Sequence, residues 1–239
     1  MDKLLTQFQE NAIFVLITGL FILAVALLSH LAERKLPHLR RVSAARRVSI
    51  IGICSAIAVV LHVLDFPLIF LAPEFYKLDF SEMPVLLGGF FLGPSAAVAI
   101  EGVKILLKLL IKGTSTAFVG DFANFFVGCC FALPATVWYH THKNKTGAVV
   151  GLILGTLVMT VLGTAFNAVY LLPKFSVLYG IPMDVLIGMG TAVHKSVSGV
   201  FSFVALCVAP LNLVKGSVVS VLTLLLYKRV AGPLFRIHE

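Results

Sequence analysis

Charge is scarce in this 239-residue chain: 13% of its residues are Asp, Glu, Lys or Arg, against 59% that are hydrophobic. No soluble domain of this length needs that much apolar material, whereas a hydrocarbon core of roughly 30 Å demands about 20 apolar residues of every helix that crosses it. Acidic residues are scarcer still, 11 against 19 basic ones, for a formal net charge of +8. That excess does not read as a nucleic-acid surface. Arg34, Lys35, Arg40, Arg41, Arg46 and Arg47 crowd one connector between apolar runs, as a cytoplasmic loop does under the positive-inside rule, with anionic membrane lipids as its partner. Cys54, Cys129, Cys130 and Cys207 all lie inside apolar runs without metal-ligand spacing, so neither a disulfide nor a metal site is expected. The strand-like alternation of an outer-membrane barrel is missing. So are a phosphate-binding glycine loop, a Gly-x-Ser-x-Gly elbow and a His-Glu-x-x-His helix, which leaves the chain without energy-coupling machinery of its own.

What is present is a series of apolar spans. Residues 12–31 form an uninterrupted run whose leader is not basic and whose charge cluster follows it. This asymmetry favours a retained anchor, with the N-terminus outside, over a cleaved signal peptide. A helix is expected across residues 48–70. The stretch from Ala72 to Glu82 carries Glu74, Asp79 and Glu82 against Lys77 alone, which suits the outer side. Residues 83–93 and 94–112 read as a helical hairpin turned at Gly93-Pro94, followed by an outer connector, Gly113-Thr114-Ser115-Thr116. Residues 117–139 return to a basic stretch ending at Lys145, residues 147–171 climb outward, and residues 209–229 descend to Lys228 and Arg229. Residues 183–208 are apolar enough to cross, but another crossing would put Lys228, Arg229 and Arg236 outside. They are expected to lie over the bundle or re-enter it. The fold class is all-α: a polytopic membrane protein with six core helices plus one extra N-terminal transmembrane helix. Residues 1–47 are the anchor and basic loop, 48–231 the six-helix domain and 232–239 a cytoplasmic tail. No internal repeat is evident, which counts against inverted-repeat transporters.

Polar side chains inside these spans are costly unless they meet a partner. Asn167 comes shortly before Pro173, and Pro210 shortly before Asn212 and Lys215. The expected topology brings all three, with Asp79, to the outer ends of their helices. Asn offers donors and an acceptor and Lys a charged donor, a set suited to hydroxyls, carbonyls and ring nitrogens. Phe75, Tyr76, Phe80, Phe166, Tyr170 and Phe175 interleave with them, so a flat ring fits against aromatic side chains while polar groups orient it. Lys104, Lys108 and Lys112 share a helical face, with Glu101 just before them. Intramembrane charges often mark an ion path, but no second acidic residue is expected to continue a relay. Pairing of Glu101 with Lys104 or Lys108, with Lys112 reaching outward, is the simpler expectation. His140 and His142 read as part of a solvated loop, and His62 and His194 as structural histidines. Gly52-x-x-x-Ala56 offers another helix a close approach, within the bundle or on a partner.

Four of these stretches, in this order, resemble the substrate-binding subunits (S components) of energy-coupling-factor (ECF) vitamin transporters, specifically their riboflavin-specific branch. They are Lys77 to Pro84 leading into Leu86 to Pro94; Gly113 to Thr116 with Gly120-Asp121-Phe122-Ala123-Asn124-Phe125; the Asn167 motif; and Pro210 to Gly216. The likeness covers roughly residues 48–231. It implies a six-helix S-component bundle in the bacterial cell membrane, with riboflavin as transported ligand, no cofactor and no enzymatic activity. Its implied partners are a transmembrane coupling subunit and two cytoplasmic ATPases. Asn167, Asn212 and Lys215 would help to hold the vitamin, and the loop carrying Leu78 and Asp79 would close over it; Tyr170, from the interleaved aromatics, is expected as a further contact. Gly52 and Ala56 match the small residues through which family members dock the coupling subunit. The N-terminal anchor has no role implied by the family, and the segment between the fifth and sixth helices looks long for it. The residues by themselves also fit capture of another vitamin or precursor, an integral membrane enzyme centred on His140 and His142 or the Lys104 face, or a scaffold.

Overall fold

The computed structural model describes residues 2–36, 42–114 and 116–236. Arg40 and Arg41 of the basic connector, Ser115 and the last three residues lie outside the described residues. The helices are α1 (Asp2–Arg34), α2 (Ala44–Val63), α3 (Glu82–Leu92), α4 (Pro94–Lys112), α5 (Val119–Thr141), α6 (Lys145–Phe166), α7 (Leu172–Tyr179), α8 (Met183–Val193), α9 (Val200–Phe203) and α10 (Ala209–Arg236). A short antiparallel hairpin pairs β1 (Phe66–Pro67) with β2 (Lys77–Leu78). Among the described residues, five stretches of helix are long and apolar enough to cross a membrane, and the chain is an all-α polytopic membrane protein.

Local chemistry sets several boundaries. The Ser43 hydroxyl accepts the Arg46 amide at 3.4 Å to open α2, and Asn144 Oδ1 accepts the Gly147 amide at 2.6 Å to open α6, each satisfying a donor the helix cannot. Gly93 takes φ 109° between α3 and α4, a conformation glycine adopts without penalty, and Pro94 follows where a missing N–H costs nothing.

The middle of the bundle is α3. At 11 residues it is only about 16 Å long, and nine of those residues are buried, so neighbouring helices enclose it. Val85, Leu86 and Phe90 of α3 meet Ile100 of α4, Phe131 and Ala135 of α5, Leu152 and Met159 of α6 and Val219 of α10. The α5 and α6 backbones touch: a Cβ built on Gly151 would lie 2.6 Å from the Ala135 carbonyl oxygen. In lipid, such small residues let helices gain packing that the hydrophobic effect does not supply.

The extra helix α1 lies against α4 and α5. Its Phe21 ring meets Phe122 edge-on at 5.5 Å and lies 5.2 Å from Phe126. Its last turn is tied to the far end of the bundle, where Glu33 pairs with Arg47 of α2 at 3.2 Å and accepts from the Ser95 hydroxyl of α4.

Three expectations need correcting. The helix expected to reach residue 70 stops at Val63, because Pro67 disfavours helical backbone at the residue before it; the chain turns instead into the β1–β2 hairpin. Residues 147–171 and 209–229 were expected to end and begin at the proline motifs, yet both spans run through them. The chain is helical from Lys145 to Tyr179 and again from Val200 onward. Each proline follows a single widened π turn, Asn167–Leu171 before Pro173 and Val204–Val208 before Pro210. The Leu172 amide reaches back to the Asn167 carbonyl and the Ala209 amide to that of Val204, spacing that accommodates a proline ring which would otherwise collide with the preceding turn. The outer segment expected over residues 183–208 is consequently shorter: α8 ends at Val193 and the last span already starts at Val200.

Candidate functional site

A cavity of about 320 Å³ opens where the ends of α2, α4, α5, the α6–α7 span and α10 meet the Phe66–Leu78 hairpin. Its volume lies near the lower end of the range for small-molecule sites, about 300–1,000 Å³. Asp79, Asn167, Asn212 and Lys215, separated by up to 136 positions in the chain, all line it. The structure does not bring the other two expected contact residues to its wall. Leu78 is buried in β2, paired with Phe66, and Tyr170 packs on Phe166 with ring centroids 5.2 Å apart. Aromatic lining comes instead from Phe75, Tyr76, Phe175 and Tyr179.

The two asparagines differ in what they have left to offer. Asn167, at the first position of its π turn, accepts the Tyr76 hydroxyl on Oδ1 at 2.7 Å and donates from Nδ2 to the Gly163 carbonyl at 2.8 Å. Burial pushes the Tyr76 phenol above its usual range, so it remains a proton donor. Asn212 is equally buried, but its Nδ2 has no hydrogen-bond partner. A buried donor left unmade costs about 1–3 kcal/mol; Nδ2 faces Gly163, so a ligand acceptor recovers it once the side chain turns toward the cavity. Gly163 faces this amide closely: a Cβ there would stand 3.0 Å from Nδ2 and would have to displace it by a few tenths of an ångström.

Asp79 is largely spent on the protein. Its Oδ1 accepts the Ser81 amide at 2.8 Å, while Oδ2 takes the Lys215 ammonium at 3.0 Å and lies 3.5 Å from His62 Nδ1. Burial raises this carboxyl, but Lys215 and His62 outweigh it and hold it well below the usual carboxylate range. Lys215 also lies 3.7 Å from Glu82, which pairs with Lys104 at 3.1 Å; Lys104 pairs in turn with Glu101 at 2.5 Å. Glu101 therefore takes Lys104, as expected, but the expectation that no further acid continues the series was wrong. Glu82 and Asp79 extend it because α3 and the hairpin fold back beside α4. Lys108 pairs instead with Asp121 at 2.6 Å, and Lys112 with Asp65 at 3.2 Å.

Sequence reasoning missed several other polar cavity residues, among them His62, Lys108, Asp121 and Asn124. Only the lysine periodicity and the Gly120-Asp121-x-x-Asn124 spacing signalled them. His140 is a further correction. Instead of sitting in a solvated loop it is fully buried inside α5, with Nε2 3.0 Å from the Gly89 carbonyl oxygen, because α5 continues to Thr141. Gly52 and Ala56, by contrast, are exposed on α2, and no atom lies within 4 Å of a Cβ built on Gly52.

Comparison with known proteins matches residues 46–227 to the family described as ECF transporter, substrate-specific component. The riboflavin transporter RibU of Staphylococcus aureus (strain TCH60) is 36% identical over 192 residues, covering 80% of this chain and 94% of that one. The riboflavin transporter FmnP of Bacillus subtilis (strain 168) is 32% identical over 183 residues, covering 76% and 90%. The solved structure of the S component of a bacterial ECF transporter superposes with a TM-score of 0.62 at 36% identity, covering 81% of this chain and all of that one. The matched family region begins beyond α1.

Proposed function

Because the chain belongs to the substrate-specific components of ECF transporters, we propose that it captures riboflavin in this cavity for uptake driven by partner subunits. The observation that carries the reading is the convergence of Asp79, Asn167, Asn212 and Lys215 on the wall of one cavity with aromatic sides. An isoalloxazine offers that wall two carbonyls and ring nitrogens, and a flat face to Phe75 and Phe175. The names of the relatives, riboflavin transporters, support the same ligand.

The cavity end faces outward in this reading. The opposite end carries Arg34, Lys35, Arg46, Arg47, Lys143 and Lys145, as a cytoplasmic side does. Since Glu33 of α1 sits at that end, the N-terminus is outside and the C-terminus cytoplasmic, in a bacterial cell membrane. The chain is a binding subunit without a cofactor, and riboflavin is its cargo. A transmembrane coupling subunit docks on the exposed Gly52–Ala56 face of α2, and two cytoplasmic ATPases supply the energy that reorients the bundle and releases the vitamin inside.

Titration of the purified chain with riboflavin, followed by quenching of flavin fluorescence, tests the ligand. Saturable binding is expected, and Asn212→Ala should weaken it by roughly 10–100-fold, the worth of one buried hydrogen bond of about 1–3 kcal/mol. Protein that is colourless as purified and does not quench added riboflavin would overturn the assignment.

A further inference from the structure

Behind the cavity wall, five buried acidic and basic side chains alternate: Asp79, Lys215, Glu82, Lys104 and Glu101. Each has a side-chain exposure of 8% or less. They come from the hairpin connector, α10, α3 and α4, so the series crosses the bundle. Only Asp79 and Lys215 line the cavity; Glu82, Lys104 and Glu101 do not reach it. Buried charges at this depth are expensive, and replacing such a series with apolar packing is often neutral or stabilising. Fold stability alone therefore gives little reason for it.

The geometry points to a different use: Glu82 and Lys104 are positioning residues for ligand capture, acting through Lys215 without touching the ligand. This inference rests on the reading of the cavity as the capture site. The Lys215 ammonium has three N–H donors. One goes to Asp79 at 3.0 Å, whereas Glu82, at 3.7 Å, attracts it from the α3 side without taking a hydrogen bond. Drawn from two sides, the ammonium stays at the wall with donors to spare for an acceptor in the cavity. Glu82 can hold that station only because Lys104 anchors its Oε1 at 3.1 Å, while the Ser81 hydroxyl and Glu101 fix Lys104. Without Lys104, Glu82 would keep Lys215 as its one remaining cation, which would pull the ammonium off the wall.

A double-mutant cycle on the full chain in detergent or nanodiscs separates positioning from plain structural support. Glu82→Gln and Lys104→Met should each weaken riboflavin binding by about tenfold, but cost less than about twofold in a Lys215→Met background. Lys104→Arg, which keeps the charge, should restore most of the affinity. Equal losses in both backgrounds would overturn the inference. If Glu82→Gln does not fold, Glu82→Asp replaces it, with the same expected coupling to Lys215. A ligand-free arm uses acylation of Lys215 by a small amine-reactive reagent, mapped by mass spectrometry. The rate should change several-fold in the Glu82 and Lys104 variants, and an unchanged rate overturns the inference. Wild-type protein that fails to bind riboflavin would sink the flavin reading instead, leaving the labelling arm to decide the positioning role.

Discussion

Among single residues, the contrast between Asn167 and Asn212 carries the most information. Both interrupt an apolar span near a proline, yet one amide is consumed by Tyr76 and Gly163 while the other keeps a donor open. The glycines on the neighbouring helix matter in another way. Gly151→Ala would drive a methyl group into the Ala135 carbonyl, and α5 and α6 must part to admit it. A loss of about 1–3 kcal/mol is expected, read as a lower melting temperature in detergent, with riboflavin affinity retained by the folded fraction. Asn167, Asn212, Lys215 and Asp79 were legible in the sequence because polar groups in apolar runs stand out. His62, Lys108 and Asp121 were not, since their partners lie far along the chain or in a neighbouring helix and no local pattern announces the pairing. Leu78, next to Asp79 in sequence, shows the converse by strand alternation, whereas Tyr170, three residues from Asn167, would share its face in a regular helix and is carried away from the cavity by the π turn.

Single elements carry a second lesson, about proline. From sequence, Pro173 and Pro210 looked like boundaries, whereas each sits inside a continuous helix just after a π turn. The residues before each proline, Val169 to Leu172 and Val204 to Ala209, are apolar, without the polar or glycine-rich flank of a true connector, and that was the readable clue. The π turns themselves were not readable, because an i−5 hydrogen bond leaves no mark on hydrophobic periodicity over five residues. Pro210→Ala restores a backbone donor and lets the last span relax toward regular α geometry. The variant should lose roughly tenfold in riboflavin affinity while its melting temperature holds or rises. Thermal denaturation and ligand titration on the same preparation check both halves. The short α3 and its hairpin with α4 were legible from the apolar runs and the Gly93-Pro94 turn, but the enclosure of α3 was not. The split of residues 183–208 into α8 and the start of the last span was not.

At the scale of the whole molecule, the cavity and the α2 face are spatially separate, so the proposed capture and the proposed docking can be tested apart. A bulky side chain at Gly52 meets open space. Gly52→Trp should therefore leave riboflavin affinity within about twofold while abolishing co-purification with the coupling subunit and ATPases, since only a close helix–helix approach requires a small residue there. The extra helix α1 packs on α4 and α5 and leaves Gly52 and Ala56 uncovered. The two π turns have a consequence of another kind. Each carries one residue more than a regular ladder would use, and one residue turns everything beyond it by about 100°. Asn167 opens one of these phase steps and Asn212 lies four residues past the other. Loss or gain of a single codon in either would rotate the remainder of the span and bring a different set of side chains to the cavity. A single insertion or deletion at either place would thus re-line the cavity while leaving the identity of every present lining residue unchanged.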